Sequence, residues 1–318
     1  YIELMDKTTY LNHYYFISIL SFLMLFIPAN ATFSIDNLIR GKDYKKVSSW
    51  TIDSLKLLLS IVYIFSGLAK LNSDWLLKAM PLKIWLPSKF DLPLIGQNLM
   101  QLEWVHYAMS WGGMFYDLLI PFLLLNKRTR LFGFVLVVFF HIFTRVLFPI
   151  GMFPYIMIMG SLIFFDSKFH IKTLKFINKI IPPFSSIKKI FNKGKFTVIE
   201  IYNIKKEKLI VCIVSLFFIV QFLFPLRYLL YPGELFWNEQ GYRFSWRVML
   251  MEKKGYSVFK IVDQKKGTFF YVNNEDFLTP FQEKQMSFQP DFILEYAHHL
   301  GDSYTALGHQ NVQVFVDS

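Results

Sequence analysis

The sequence predicts an all-α polytopic membrane bundle of about six spans, with a small α+β extramembrane C-terminal extension. Three observations predict it. The 318 residues are 54% hydrophobic and 19% aromatic but only 18% charged, with a mean hydropathy of +0.36, whereas soluble domains carry roughly 25% charged residues. Six apolar runs reach or approach the length of about 20 helical residues that a bilayer demands. The basic residues gather in alternate connections between those runs, as they do in cytoplasmic loops. This composition excludes a disordered chain. The formal charge of +11 is then read as contact with the lipid bilayer, and nucleic acid is not expected as a partner.

The apolar runs are 14–29, 54–71, 104–125, 131–148, 150–165 and 209–230. They show little of the polar face that a water-soluble helix of this length keeps. The first and fifth are short. The stretch 75–100 is amphiphilic and carries Pro81, Pro87 and Pro93, so it reads as an interfacial or re-entrant excursion and not as a span. With six spans, Arg40, Lys42, Lys45 and Lys46 share a side with Lys127, Arg128, Arg130 and the lysine-rich loop 167–208. The other side receives Lys78, Lys83 and Lys89. The basic loops are therefore placed in the cytoplasm, and the segment 231–318 in the periplasm or lumen.

Two regions follow: a transmembrane domain over 1–230 and an outward-facing extension over 231–318. In the extension, 256–262 and 268–272 are rich in Tyr, Phe, Val and Ile and flank a turn from Asp263 to Gly267, which predicts a hairpin. Pro290 opens a helix running to Leu300, and 312–316 predicts a strand. The single cysteine, Cys212, excludes an intrachain disulfide. His298, His299 and His309 lack the carboxylate or cysteine spacing of a metal centre, and no metal is expected. The chain opens on Tyr1, which reads as a fragment or processed chain lacking earlier spans.

Ionisable side chains inside a membrane are costly and mark functional sites. His13, Lys70, His106 and His141 belong to four different apolar runs or their ends, yet the topology brings them to one depth in the outer half. Asp6 and Asn12 lie just before the first run. Asp117, deeper in the third run, falls outside this cluster and receives no role. A lysine amine stripped of water is a candidate general base, because desolvation disfavours its charged form. The acid it could deprotonate is one of phenol-like strength, such as a lipid-soluble hydroquinone. Nearby aromatic residues, Tyr10, Phe153 and Trp246 among them, would suit a flat ring.

Four motifs carry a resemblance. The runs Asp6-Lys7-Thr8-Thr9-Tyr10-Leu11-Asn12-His13, Ser66-Gly67-Leu68-Ala69-Lys70-Leu71-Asn72-Ser73-Asp74-Trp75, His141 with Phe148-Pro149-Ile150-Gly151-Met152-Phe153, and Gly241-Tyr242-Arg243-Phe244-Ser245-Trp246 occur in this order. Together they resemble the vitamin K-dependent γ-glutamyl carboxylase family, whose membrane region is also called the horizontally transferred transmembrane domain.

The resemblance implies that Lys70 deprotonates vitamin K hydroquinone, or a menaquinol-like naphthoquinol. The anion reacts with O2 to give a strong alkoxide base, a substrate glutamate loses its γ-proton and captures CO2, and the quinone leaves as the epoxide. It implies that His13 and Asn12 orient the quinol oxygen, that His141 supports the reacting centre, and that Asp6 and Tyr10 shape the pocket. It further implies that Phe153, Tyr242, Trp246 and Met249 line it, with 241–251 of the extension contributing to the site. The partner implied is a Glu-containing protein or peptide. The sequence departs from the animal enzymes at Arg247 and Met251, where those carry Asp and His. The other readings are a quinol epoxidase that carboxylates no protein and a non-catalytic lipid- or quinone-binding membrane protein.

Overall fold

The computed structural model describes residues 6–31, 34–93, 95–180 and 197–318. Part of the lysine-rich loop, 181–196, lies outside the described residues. The chain divides into two compact units. One holds Asn12–Leu226 and Phe244–Val248; the other holds Tyr1–Leu11, Arg227–Arg243 and Met249–Ser318.

In the helical unit the apolar runs become α1 (Asn12–Met24), α2 (Ser49–Ala69), α3 (Glu103–Leu125), α4 (Arg130–Leu147), α5 (Phe153–Ser161), α6 (Ser167–Ile180) and α7 (Glu207–Leu223). The sixth of these, α6, is the amphipathic start of the lysine-rich loop and not one of the expected spans. Among the described residues, four helices are long and apolar enough to cross a membrane: α2, α3, α4 and α7, the last continued by a 3-10 turn to Leu230. These account for four of the expected six by length. At about 1.5 Å per residue, the 13 residues of α1 reach about 20 Å, short of a hydrocarbon core of about 30 Å. The fifth run forms the short apolar helix Phe153–Phe164.

The helix α2 is the most buried of the four and packs chiefly on α3. Small residues set the spacing. A Cβ on Gly67 would lie 2.7 Å from Leu118 Cδ2, and one on Gly160 would lie 3.3 Å from Leu59 Cδ2. The α3–α4 turn is tight because Arg130 Nε donates to Leu124 O at 2.9 Å and its Nη2 to Leu125 O at 3.1 Å, satisfying carbonyls at the helix end. At the start of α7, Glu207 accepts from Ser48 Oγ at 2.7 Å and from Trp50 Nε1 at 2.8 Å, so one carboxylate fastens the entries of α2 and α7. Tyr15 Oη donates to Gln221 Oε1 at 2.8 Å, tying α1 to α7.

A short parallel pair, β1 (Lys42–Lys46) with β2 (Thr197–Ile201), has no counterpart in the sequence reading. The proline-rich stretch after α2 forms the helices Ser73–Lys78 and Leu82–Trp85 and a 3-10 turn at Pro87–Lys89. It is held on α3 by Trp75 Nε1 donating to Ser110 O at 2.7 Å, Trp111 Nε1 to Leu76 O at 3.0 Å and Tyr107 Oη to Leu77 O at 3.1 Å.

The other unit is α+β. The hairpin is β3 (Val258–Asp263) and β4 (Thr268–Tyr271), antiparallel, and β5 (Val312–Asp317) pairs antiparallel with the far edge of β3. The helix expected from Pro290 is α9 (Pro290–Ala306), preceded by α8 (Pro280–Met286). A capping box starts α8, with Thr279 and Gln282 bonding reciprocally. Strand alternation points Phe259 and Ile261 inward, where they meet Met286, Phe292, Tyr296 and Leu300.

Candidate active site

Lys70 follows the last residue of α2, at its C-cap, where the helix dipole favours a cation. Its side chain turns inward and is only 8% exposed. The Nζ atom lies 2.7 Å from Asp117 Oδ2 on α3, 3.0 Å from Ser66 Oγ and 3.3 Å from Ser66 O. Ser66 Oγ in turn donates to Asp117 Oδ2 at 2.8 Å. The Trp75 ring sits 5.5 Å from Nζ, within cation–π range. Three acceptors match the three N–H donors of an ammonium. Lys70 and Asp117 are thus placed as a close pair, with Ser66 bonded to both partners. Asp117 is the residue that sequence reasoning missed. Loop charges placed it too deep to join the cluster. The signal that could have found it is the pairing rule itself, since a buried cation needs a partner.

Beside the pair lies an aromatic network. Asp117 interacts electrostatically with both Tyr63 and Tyr116. Tyr63 Oη is 3.2 Å from His141 Nε2, and Tyr116 stacks on Phe140 at 3.9 Å between centroids. Phe153 stands between two imidazoles, 6.0 Å from the His141 ring and 6.3 Å from that of His13. His141, Phe153 and His13 thus form one run of ring contacts, and Asp117 relates it to Lys70 through the electrostatic interaction with Tyr63. His106 stands apart, bonded to Met100 O at 2.8 Å.

The segment Phe244–Val248 belongs to this unit. Trp246 is fully buried, 5.0 Å from the Tyr15 ring. Asn12 Nδ2 donates to Arg247 O at 3.2 Å. Phe244 and Trp246 both adopt left-handed backbone, φ 58° and 60°, an uncommon state for bulky residues that concentrates at functional sites.

Asp6, Tyr10, Tyr242 and Met249 belong to the other unit. Asp6 caps the 3-10 turn Lys7–Thr9, accepting from Thr8 Oγ1 at 2.6 Å, Thr8 N at 2.8 Å and Gln282 Nε2 at 3.0 Å. The Thr8 hydroxyl, aided by the other two bonds and opposed by partial burial, holds its carboxyl below the usual carboxylate range. Tyr242 N donates to Glu239 O at 3.0 Å, and Met249 has φ 55°.

Among the described residues, the buried polar atoms without a hydrogen-bond partner include His141 Nδ1 and Trp246 Nε1. Polar atoms so placed are normally satisfied. His141 Nδ1 and the neighbouring ring of Phe153 would suit a planar ring carrying an oxygen atom.

Two family models match the chain. The HTTM domain matches residues 1–169, and the vitamin K-dependent gamma-carboxylase lumenal domain matches residues 206–318. The chain belongs to the vitamin K-dependent γ-carboxylase family. It is a carboxylase-like membrane protein, and the family implies a requirement for vitamin K hydroquinone. The second match begins at 206, ahead of α7, whereas the sequence reading began the extension at 231. No solved structure matches the chain significantly.

Proposed function

We propose that this protein couples oxygenation of a naphthohydroquinone to carboxylation of glutamate, with Lys70 as the initiating base. The observation that carries the reading is the Lys70 amine, desolvated and held at 2.7 Å from Asp117, in a chain of this family. When bound, the quinol would supply the acidic hydroxyl and, with O2, the strong base that a side chain cannot provide. The chain's own residues bind, orient and exclude water. Phe153 offers a ring face between His13 and His141. The His141 imidazole, fixed through Nε2 by Tyr63, presents Nδ1 as a hydrogen-bonding atom. Asn12 braces the segment bearing Trp246. Apolar surroundings guard a strong base from water.

In this reading Asp6, Tyr10, Tyr242 and Met249 serve glutamate or quinone binding. The basic loops face the cytoplasm and the C-terminal unit faces the periplasm or lumen. The test is a paired assay on membranes containing wild type or Lys70→Ala. Epoxide formation from reduced naphthoquinone and incorporation of labelled CO2 into a Glu-containing peptide are measured together. Both signals are expected in wild type and neither in the variant. Epoxide without label demotes carboxylation, and absence of both from wild type overturns the reading.

A further inference from the structure

We propose that Asp117 is the positioning residue of this site, holding Lys70 as an ammonium and exchanging its proton within the pair. The inference rests on Lys70 being the base and adds how that base is made ready. An ammonium whose three donors are occupied by Asp117 Oδ2, Ser66 Oγ and Ser66 O has no lone pair to offer. It must first release a proton, and the carboxylate 2.7 Å away is the adjacent acceptor.

In that transfer an N–H bond of Lys70 breaks and an O–H bond forms on Asp117. The pair is neutral before and after, so no net charge is created in the apolar interior, where an isolated ion is costly. The freed lone pair then takes the proton of a phenol-type hydroxyl, leaving a phenolate beside an ammonium. The pair's net charge rises by one and the acid's falls by one.

The geometry selects this role over simple ion pairing. Ser66 Oγ accepts from Lys70 and donates to the same carboxylate oxygen, closing a three-membered ring of hydrogen bonds. Gly67 removes the side chain that would keep α3 away. The other groups facing the pair are Tyr63 and Tyr116, both coupled to the Asp117 charge, and the Trp75 ring. His141 stands behind Tyr63.

The test uses the full chain in detergent or nanodiscs and a lipid-soluble amine reagent, fluorodinitrobenzene, which attacks neutral amines. Modification of Lys70 is followed by mass spectrometry at pH 7, with exposed Lys78 as the internal standard. In Asp117→Asn, modification of Lys70 relative to Lys78 is expected to rise at least tenfold, while Asp117→Glu stays within threefold of wild type. Equal rates in wild type and Asp117→Asn overturn the proposal. If Asp117→Asn does not fold, Lys70→Met/Asp117→Leu replaces it. A double variant that melts above either single variant supports the pair, and one that melts no higher overturns it. Where wild type forms epoxide, Asp117→Asn should lower kcat about a hundredfold with KM within threefold, and Asp117→Glu should recover most of it. An unchanged kcat overturns the proposal. Wild type that forms no epoxide sinks the proposed function, and the labelling result then decides the pair by itself.

Discussion

Gly67 and Leu118 share a space that only one side chain can occupy. A Cβ on Gly67 would meet Leu118 Cδ2 and Cγ at 2.7 Å and the Leu118 backbone nitrogen at 3.0 Å. Leu118 follows Asp117, and Gly67 precedes Lys70 by less than one turn. The missing side chain therefore sets the helix separation across which the ion pair forms. Gly67→Val should push α2 and α3 apart, destabilising the protein by roughly 1–3 kcal/mol, the usual range for overpacking. Lys70 should become more reactive toward an amine reagent. A lowered melting temperature in detergent with unchanged Lys70 reactivity would mean that the pair does not depend on this contact.

Tyr63 carries a second prediction. Its hydroxyl lies 3.2 Å from His141 Nε2, and His141 Nδ1 has no partner among the described residues. Tyr63→Phe removes the hydroxyl at almost no change in volume. It leaves a buried imidazole without that bond, at about 1–3 kcal/mol. Epoxide formation should fall as the imidazole loses its orientation, while Lys70 keeps its wild-type reactivity because Asp117 and Ser66 are untouched. A parallel change in both readouts would show that Tyr63 acts on the amine and not on the histidine.

The membrane helices and the C-terminal hairpin were legible because each is written locally. Apolar runs of the right length, the turn from Asp263 to Gly267 and the proline at 290 need no distant partner to be read. Lys70, His13 and His141 were legible as misplaced polar groups, and the structure links the three through Asp117, Tyr63 and Phe153. Asp117 was not legible as their companion. Its partner is 47 residues away, on another helix, and depth inferred from loop charges has too coarse a grain to pair side chains. The β1–β2 pair was hidden for a similar reason. Lys42–Lys46 is a charged five-residue strand with no hydrophobic alternation, and it exists through its register with Thr197–Ile201.

Gly151 offers a local test of the His13 side of the site. Its φ is +61°, and a Cβ there would lie 4.0 Å from His13 Cε1, an ordinary contact. Space is therefore available and conformation is the obstacle. Gly151→Ala should cost about 1–2 kcal/mol, the penalty for an L-residue in left-handed backbone. Gly151→Asn should cost less, since asparagine enters that region more readily. Thermal unfolding of the two variants decides it: equal losses would point to crowding against His13 in place of backbone strain.

Asp263 ends β3 on its inward face, fully buried. It accepts from Lys265 N and Lys266 N at 3.1 Å each, from His309 Nδ1 at 3.2 Å and from Gln310 N at 3.4 Å. Burial pushes its carboxyl up, but the Lys266 amide, His309, the Gln310 amide and the Lys266 charge together outweigh it and hold the group below its ordinary value. A carboxyl depressed on folding stabilises the native state above its unfolded pKa, about 3.9. That contribution is lost as pH falls through the lower folded value. Asp263→Asn should therefore melt below wild type at pH 7, with the gap narrowing progressively under about pH 4. The carboxylate knots the hairpin turn to the entry of β5, so the loss should centre on β3–β5 and be readable there by hydrogen exchange. A gap that stays constant from pH 7 to pH 3 would assign the effect to shape and not to charge.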